Sequence, residues 1–372
     1  MNISKLNSKC TTSQLKRISD RMSSFVPFGK RECTCFFSLR PGPGGPATFS
    51  GKLANGFRNA DISIIYRNLQ TANSALIFSN SWGDWFYKIC KRREIRTVLR
   101  VDGFMIPTYF DNRKTEFMQQ SREMTLQYLS INHRLQRDIL MSDFVVYQSK
   151  FSKMMADQFL YNRQDKYSII YNGIDTDHFC PATINNRRLR LVIAGTLRDE
   201  YMLGSVLPIF KRLQKKHDLE LLIVGSVDTI CRAQISDFAR ENSEIYKRIK
   251  VIGSVENSML PKYMQQADIL VHPRLGDWCP NTVIEAMSCG LAVVCGSWGG
   301  AAEIVGNAGI VVPTGDDWNY GDDFINKLSD GVETILANLD YYKTCSRNRV
   351  LGNFGIEEIS FKYIDNLMLY SK

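Results

Sequence analysis

The chain has 372 residues, of which 44% are hydrophobic and 23% charged, and its formal net charge is +9. That length supports two ordinary domains with their own cores, and the composition excludes a disordered or fibrous chain. No apolar run approaches the length that spans a bilayer, and the start, MNISKLNSKCTTSQLKRISDRM, lacks the continuous apolar segment of a secretory signal. The expected location is cytoplasmic. Ten cysteines are scattered without a CxxC pair, which reads as reduced thiols.

Residues 1–32 come first as a basic extension, where seven Lys/Arg outweigh Asp20 and Glu32 and carry over half of the net charge. A second basic cluster, KICKRREIR, covers 88–96. Such segments attract anionic surfaces or are simply solvated faces. Peripheral contact with an anionic membrane and recognition of a charged or phosphorylated substrate are both open readings beside the solvated face, and nucleic acid is not expected. The Ser-rich, acid-poor start also fits an organelle transit peptide, although no cleavage site is marked.

From residue 33 onward β-rich runs alternate with helix-length segments: CTCFFSL, DISIIY, SALIFS, RTVLRV, DFVVYQS and YSIIY. After the polar break TINNRR (183–188) the alternation restarts near Leu189 with LRLVIAG, LELLIVG, IKVIG, ADILVHP, LAVVC and GIVVP. This pattern predicts α/β architecture: two doubly wound parallel sheets, an N-terminal domain over 33–182 and a C-terminal one over 183–354. The tail, 355–372, has apolar residues at helical spacing and is expected to pack back on the first domain. Such sheets bind ligands at the carboxyl ends of their strands, so a ligand between the halves is expected.

The loop after the first run is SLRPGPGGPATFSGKLANGF, with Gly42, Gly44 and Gly45 ahead of a helix predicted to start near Thr48. Glycines there let backbone approach a phosphate at a positive helix end. Gly42, Gly44 and Ala47 also satisfy a dinucleotide fingerprint, which opens the alternative of an NADP-linked reductase with Arg67 as a phosphate contact. Pro43 and Pro46 remove two donors from that loop, and the acid expected after the second strand is missing. In the second half, Arg198 and Arg274 lie in strand-end loops and are candidate cations for a diphosphate. The stretch GDWCPNTVIEAMSCG (276–290) sets Asp277 before a helix and Glu285 within it. Pro280 is predicted at the first helical position, leaving the amides of Asn281 and Thr282 for a ligand. A carboxylate accepts two hydrogen bonds from a vicinal diol, which suits a sugar.

These residues resemble the retaining GT-B glycosyltransferases of the family four type, which use nucleotide-sugar donors. Two acids separated by seven residues, DWCPNTVIE (277–285), are followed by AMSCGLAVVCGSWGGAAEIVG. The glycine loop, LRVDG (99–103), SDFVVYQSKFS, YSIIYNGIDTDHF and ADILVHP agree in order, so the likeness covers about 33–315. It implies two Rossmann-like domains facing each other across a cleft. By resemblance, Glu285 binds the donor ribose and Asp277 the transferred sugar. Asn281 and Thr282 then lie by the diphosphate, Gly44 and Gly45 close over the donor, and Asp102 is on the acceptor side.

The resemblance implies sugar transfer from a UDP- or GDP-sugar to an acceptor hydroxyl with retention. No further cofactor is expected, and no metal: the acids Asp175 and Asp177 read as a turn. The sequence departs from the family in two places. Asp277 replaces the commoner glutamate, and Leu203 stands where a phosphate-binding lysine follows the arginine that Arg198 represents. Losing one such cation weakens stabilisation of the leaving phosphate by about 2 to 4 kcal/mol unless another, such as Arg274, compensates. That departure motivates the alternative of a degenerate protein that binds a glycan or partner without transfer.

Overall fold

The computed structural model describes residues 33–42, 44–78, 82–106, 122–182, 188–198, 200–316 and 318–368. The basic extension and most of the polar break at 183–188 lie outside them. All of the architecture belongs to the unit Thr34–Lys372.

The N-terminal lobe is one parallel sheet built from β1 (Thr34–Phe37), β2 (Ser63–Ile65), β3 (Ser74–Phe78), β4 (Arg96–Val101), β5 (Phe144–Tyr147) and β6 (Tyr167–Ile169). Their order is β2-β1-β3-β4-β5-β6. The crossovers include α1 (Gly45–Asn59), α2 (Asp84–Arg92), α3 (Arg122–Met141) and α4 (Lys150–Phe159). Strand β3, SALIF, is buried at every position because helices cover both faces of a parallel sheet.

The C-terminal lobe repeats the plan with β7 (Leu189–Ala194), β8 (Leu219–Val224), β9 (Ile249–Gly253), β10 (Ile269–His272), β11 (Ala292–Gly296) and β12 (Ile310–Val312). Its order is β12-β11-β10-β7-β8-β9, again parallel throughout. Helices α5 (Glu200–Leu213), α6 (Thr229–Glu241), α7 (Ser243–Tyr246), α8 (Leu260–Met264), α9 (Asn281–Ser288) and α10 (Gly300–Val305) lie between these strands. After β12 come α11 (Asp322–Ala337) and α12 (Leu339–Asn353).

The chain then returns to the first lobe. Ile174 donates to Phe354 O at 2.8 Å and Ile356 donates to Ile174 O at 2.9 Å, which ties the crossing point to the segment linking the lobes. The last helix, α13 (Ile356–Met368), lies against α1. Gly56 makes room for Ser360, Tyr363 meets Phe49 with ring centroids 6.0 Å apart, and Arg96 Nε donates to Asn366 O at 2.7 Å.

Strand order also locates the crevices. In the first sheet the chain steps from β1 to β2 and then passes to the other side of β1 for β3. In the second it runs β7-β8-β9 and then passes to the other side of β7 for β10. Loops leaving β1, β7 and β10 therefore open at the switch points, where doubly wound sheets leave room for a ligand.

Two helix starts differ from the sequence expectation. Helix α1 begins at Gly45, not near Thr48, because Pro46 fits a first turn whose N–H is not needed within the helix. Helix α9 begins at Asn281, and Pro280 is its N-cap rather than its first residue.

Candidate active site between the lobes

The loop after β1 ends at Gly44, whose φ of 94° is a left-handed value that favours glycine, and α1 starts immediately after it. The loop after β10 ends at Pro280, and α9 starts there. Neither helix has a side-chain cap among the described residues. The two starts adjoin: a methyl group built on Gly45 would lie 3.9 Å from Asn281 Nδ2. Gly195, at the end of β7, is a third neighbour, its added methyl falling 3.6 Å from Thr282 Oγ1. The residues Gly44, Gly45, Asn281 and Thr282 thus converge where two helix N-termini present free amides. Each end carries about half a positive charge, so the pair offers an anion about one unit.

Asn281 is held by a residue that sequence reasoning did not single out. Asn172 Nδ2 donates to Asn281 Oδ1 and to Cys279 O, both at 3.0 Å, and Asn172 Oδ1 accepts from Arg100 Nη2 at 2.7 Å. Because Asn281 spends its oxygen on Asn172, its NH2 group is left to face Gly45. Arg100 is buried, paired with Asp102, and lies 4.5 Å from the Phe49 ring centroid. Burial lowers its pKa, but an arginine stays charged. Asp102 is itself buried and takes a further bond from Gln148 Nε2 at 3.4 Å. Its backbone leads into Gly103 and Phe104, which meet Trp278 across the cleft. A methyl on Gly103 would lie 2.6 Å from Trp278 Nε1, and the Phe104 and Trp278 rings are 4.4 Å apart.

Asp277 is half-buried in the β10–α9 loop. The glycine pair Gly299–Gly300 holds that loop: Gly300 donates to Asp277 O at 2.7 Å, and a methyl on Gly300 would overlap the Trp278 carbonyl. His272, at the end of β10, is buried, and its Nε2 has no hydrogen-bond partner among the described residues. Burial pushes its pKa down to about 4; Asp277 opposes the shift and Arg274 adds to it, so all three share one neighbourhood. Arg198 and Arg274 are exposed at the loops after β7 and β10.

Glu285 sits one turn into α9, nearly fully buried, with Lys52 Nζ of α1 3.3 Å and Asn257 Nδ2 3.4 Å from Oε1. Lys52 is thus a cross-lobe partner that the sequence did not mark. Glu303, the acid following the glycine pair, is another bridge. Its carboxylate accepts from Lys150 N at 2.9 Å and Phe151 N at 2.6 Å, capping α4 from the other lobe, and from Tyr171 OH at 2.7 Å. Leu203, at the position of the missing lysine, is fully buried in α5. Asp175 and Asp177 form a local turn, Asp175 Oδ1 accepting from the backbone of Asp177 and His178 at 3.0 Å each. No group of three or more His, Cys, Asp or Glu among the described residues is arranged to hold a metal ion.

Known proteins share this architecture. A sucrose-phosphate synthase from Thermosynechococcus elongatus superposes with a TM-score of 0.66 at 15% identity, covering 90% of this chain and 97% of that one. The Anabaena protein HepE, in complex with UDP and glucose, gives a TM-score of 0.64 at 13% identity, covering 91% and 100%. The fold is GT-B. Residues 185–330, the core of the C-terminal GT-B lobe, match the family described as "Glycosyl transferases group 1". By sequence the chain is 28% identical over 225 residues to the UDP-Gal:alpha-D-GlcNAc-diphosphoundecaprenol alpha-1,3-galactosyltransferase of Escherichia coli. That match covers 55% of this chain and 56% of the relative, so the chain spans about half the length of that curated protein.

Proposed function

We propose that the protein is a retaining glycosyltransferase that moves a sugar from a nucleotide-sugar donor to an acceptor hydroxyl. The observation that carries this reading is the meeting of two uncapped helix N-termini across the cleft, with a buried carboxylate one turn behind them. A nucleoside diphosphate has matching chemistry: anionic oxygens for the amides of Gly45, Asn281 and Thr282, and a ribose diol for Glu285. Asp277 takes hydroxyls of the transferred sugar, with Arg198 and Arg274 adding charge at the phosphates. Asp102, through Gly103, shapes the acceptor side.

In the proposed reaction the acceptor hydroxyl attacks the anomeric carbon from the face the diphosphate leaves. The carbon–oxygen bond to phosphate breaks as the new one forms, and the acceptor proton passes to the departing diphosphate. No side-chain nucleophile is needed. Fixed amides and cations that stabilise the developing phosphate charge supply the main catalytic effect.

The donor is a UDP- or GDP-sugar on this reading, UDP being the nucleotide bound to HepE. The E. coli relative acts on a lipid-linked acceptor by its name, and a lipid-linked acceptor fits a basic surface here. Helix α2 exposes Trp85, 55% accessible, beside exposed Lys88, Lys91 and Arg92, as an interfacial helix does. Among the described residues no helix is long and apolar enough to cross a membrane.

The test is nucleotide release from a panel of UDP- and GDP-sugars, by wild type and by Glu285→Gln, which keeps the side-chain volume. Turnover of one donor, reduced at least about 100-fold in the variant with its melting temperature little changed, supports the proposal. Wild-type protein that binds a nucleotide sugar yet never turns it over with any acceptor favours the degenerate reading, which the buried Leu203 motivates.

A further inference from the structure

We infer that Lys52 is a ligand for the donor diphosphate, supplied by the N-terminal lobe in place of the cation that Leu203 removes from the C-terminal lobe. The inference rests on the donor reading above and concerns which residue completes the phosphate site. Two helix ends provide about one positive charge, whereas a nucleoside diphosphate brings at least two negative ones. A further buried or half-buried cation is needed where water is excluded. Arg198 and Arg274 are exposed, so the charge they add is screened by solvent, and Leu203 is in the core.

Lys52 meets the geometric requirement. It lies seven residues, about 10 Å, along α1 from Gly45, and its Cα–Cβ bond tilts back toward that helix start. Its ammonium is bonded to Glu285, which is four residues, about 6 Å, along α9 from Asn281. The ion pair therefore bridges the two helices just behind the facing ends. Its side chain is only 15% accessible and its ammonium lies 5.4 Å from the Phe179 ring centroid, an aromatic face that attracts a cation.

With a donor in place, the ribose hydroxyls donate to the Glu285 carboxylate, whose Oε1 Lys52 now occupies. The ammonium, on a flexible four-carbon stem with three donors, turns toward the neighbouring phosphate oxygens. Lys52 thus has opposite effects on two parts of one ligand: it competes with the ribose for Glu285 and attracts the phosphates.

The experiment uses full-length protein, Lys52→Ala and Lys52→Arg, titrated calorimetrically with UDP and with uridine, and with GDP and guanosine. For the diphosphate that wild type binds, Lys52→Ala is expected to weaken affinity about 10- to 100-fold. Affinity for the matching nucleoside is expected to hold or rise, and Lys52→Arg to recover most of the loss. Thermal melts accompany each titration. An unchanged diphosphate affinity in Lys52→Ala overturns the inference, and so does an equal loss for diphosphate and nucleoside, the signature of a purely structural pair. Wild-type protein that binds neither diphosphate overturns the donor reading itself and this inference with it.

Discussion

Truncating Asn172 to alanine is the most informative perturbation of the seam between the lobes. Its side chain is 4% accessible and makes three hydrogen bonds, to Cys279 O, Asn281 Oδ1 and Arg100 Nη2. Two join neutral groups and contribute about 1 kcal/mol each; the third involves a buried guanidinium and contributes about 1.5–3 kcal/mol. Asn172→Ala removes all three, so a loss of about 3–5 kcal/mol is expected, at the large end for single substitutions. Denaturant unfolding followed by fluorescence and by circular dichroism measures it. Asn172→Asp separates stability from function. It keeps an acceptor for Arg100, now as an ion pair, but has no NH2 group, so Asn281 must turn its own amide inward. The aspartate variant should therefore be more stable than the alanine variant and still raise donor KM about 10-fold or more. A cost below 1 kcal/mol for Asn172→Ala, or an unchanged KM for Asn172→Asp, would refute the proposed role of the network.

Two further outcomes follow from the same geometry. Gly300→Ala should displace the 276–280 loop, because the added carbon falls 2.1 Å from Trp278 O and 2.8 Å from Trp278 C, a backbone clash that no side-chain rotation relieves; donor turnover should drop more than about 10-fold, with lower stability in thermal melts. His272 should make stability pH-dependent: its folded pKa is depressed to about 4 against about 6.5 unfolded, so between those values the unfolded chain binds the proton and the folded one does not. Its contribution is therefore complete above pH 6.5 and is lost as pH falls toward 4, by on the order of 2–3 kcal/mol; unfolding of His272→Phe compared with wild type across that window should lack this slope.

The two sheets were legible because apolar runs of strand length stood between polar loops, from CTCFFSL to GIVVP, and a parallel strand buried on both faces has little other choice. Helix starts were less legible: proline-rich turns such as PGPGGP allow several first residues, and Pro46 was compatible with α1 starting at Gly45. The acids and loop residues of the candidate site were marked by spacing within single stretches. The cross-lobe partners were not. Asn172 and Asn281 are 109 positions apart, and Lys52 and Glu285 are 233. Nothing local distinguishes Lys52 from a surface lysine, since its partner is fixed by how two lobes meet. Glu303 and Asn172 did lie in motif stretches, GGAAE and YNGID, so a signal existed without indicating what each side chain holds.

In the proposed reaction one nucleotide sugar is gripped by both lobes, between the start of α1 and the start of α9. Hydrogen–deuterium exchange of the full-length protein, with and without saturating UDP- or GDP-sugar, tests it directly. Slower exchange is expected in both 44–52 and 277–286 on adding the same donor. Protection confined to one of these segments, or absent from both with every donor, would contradict it.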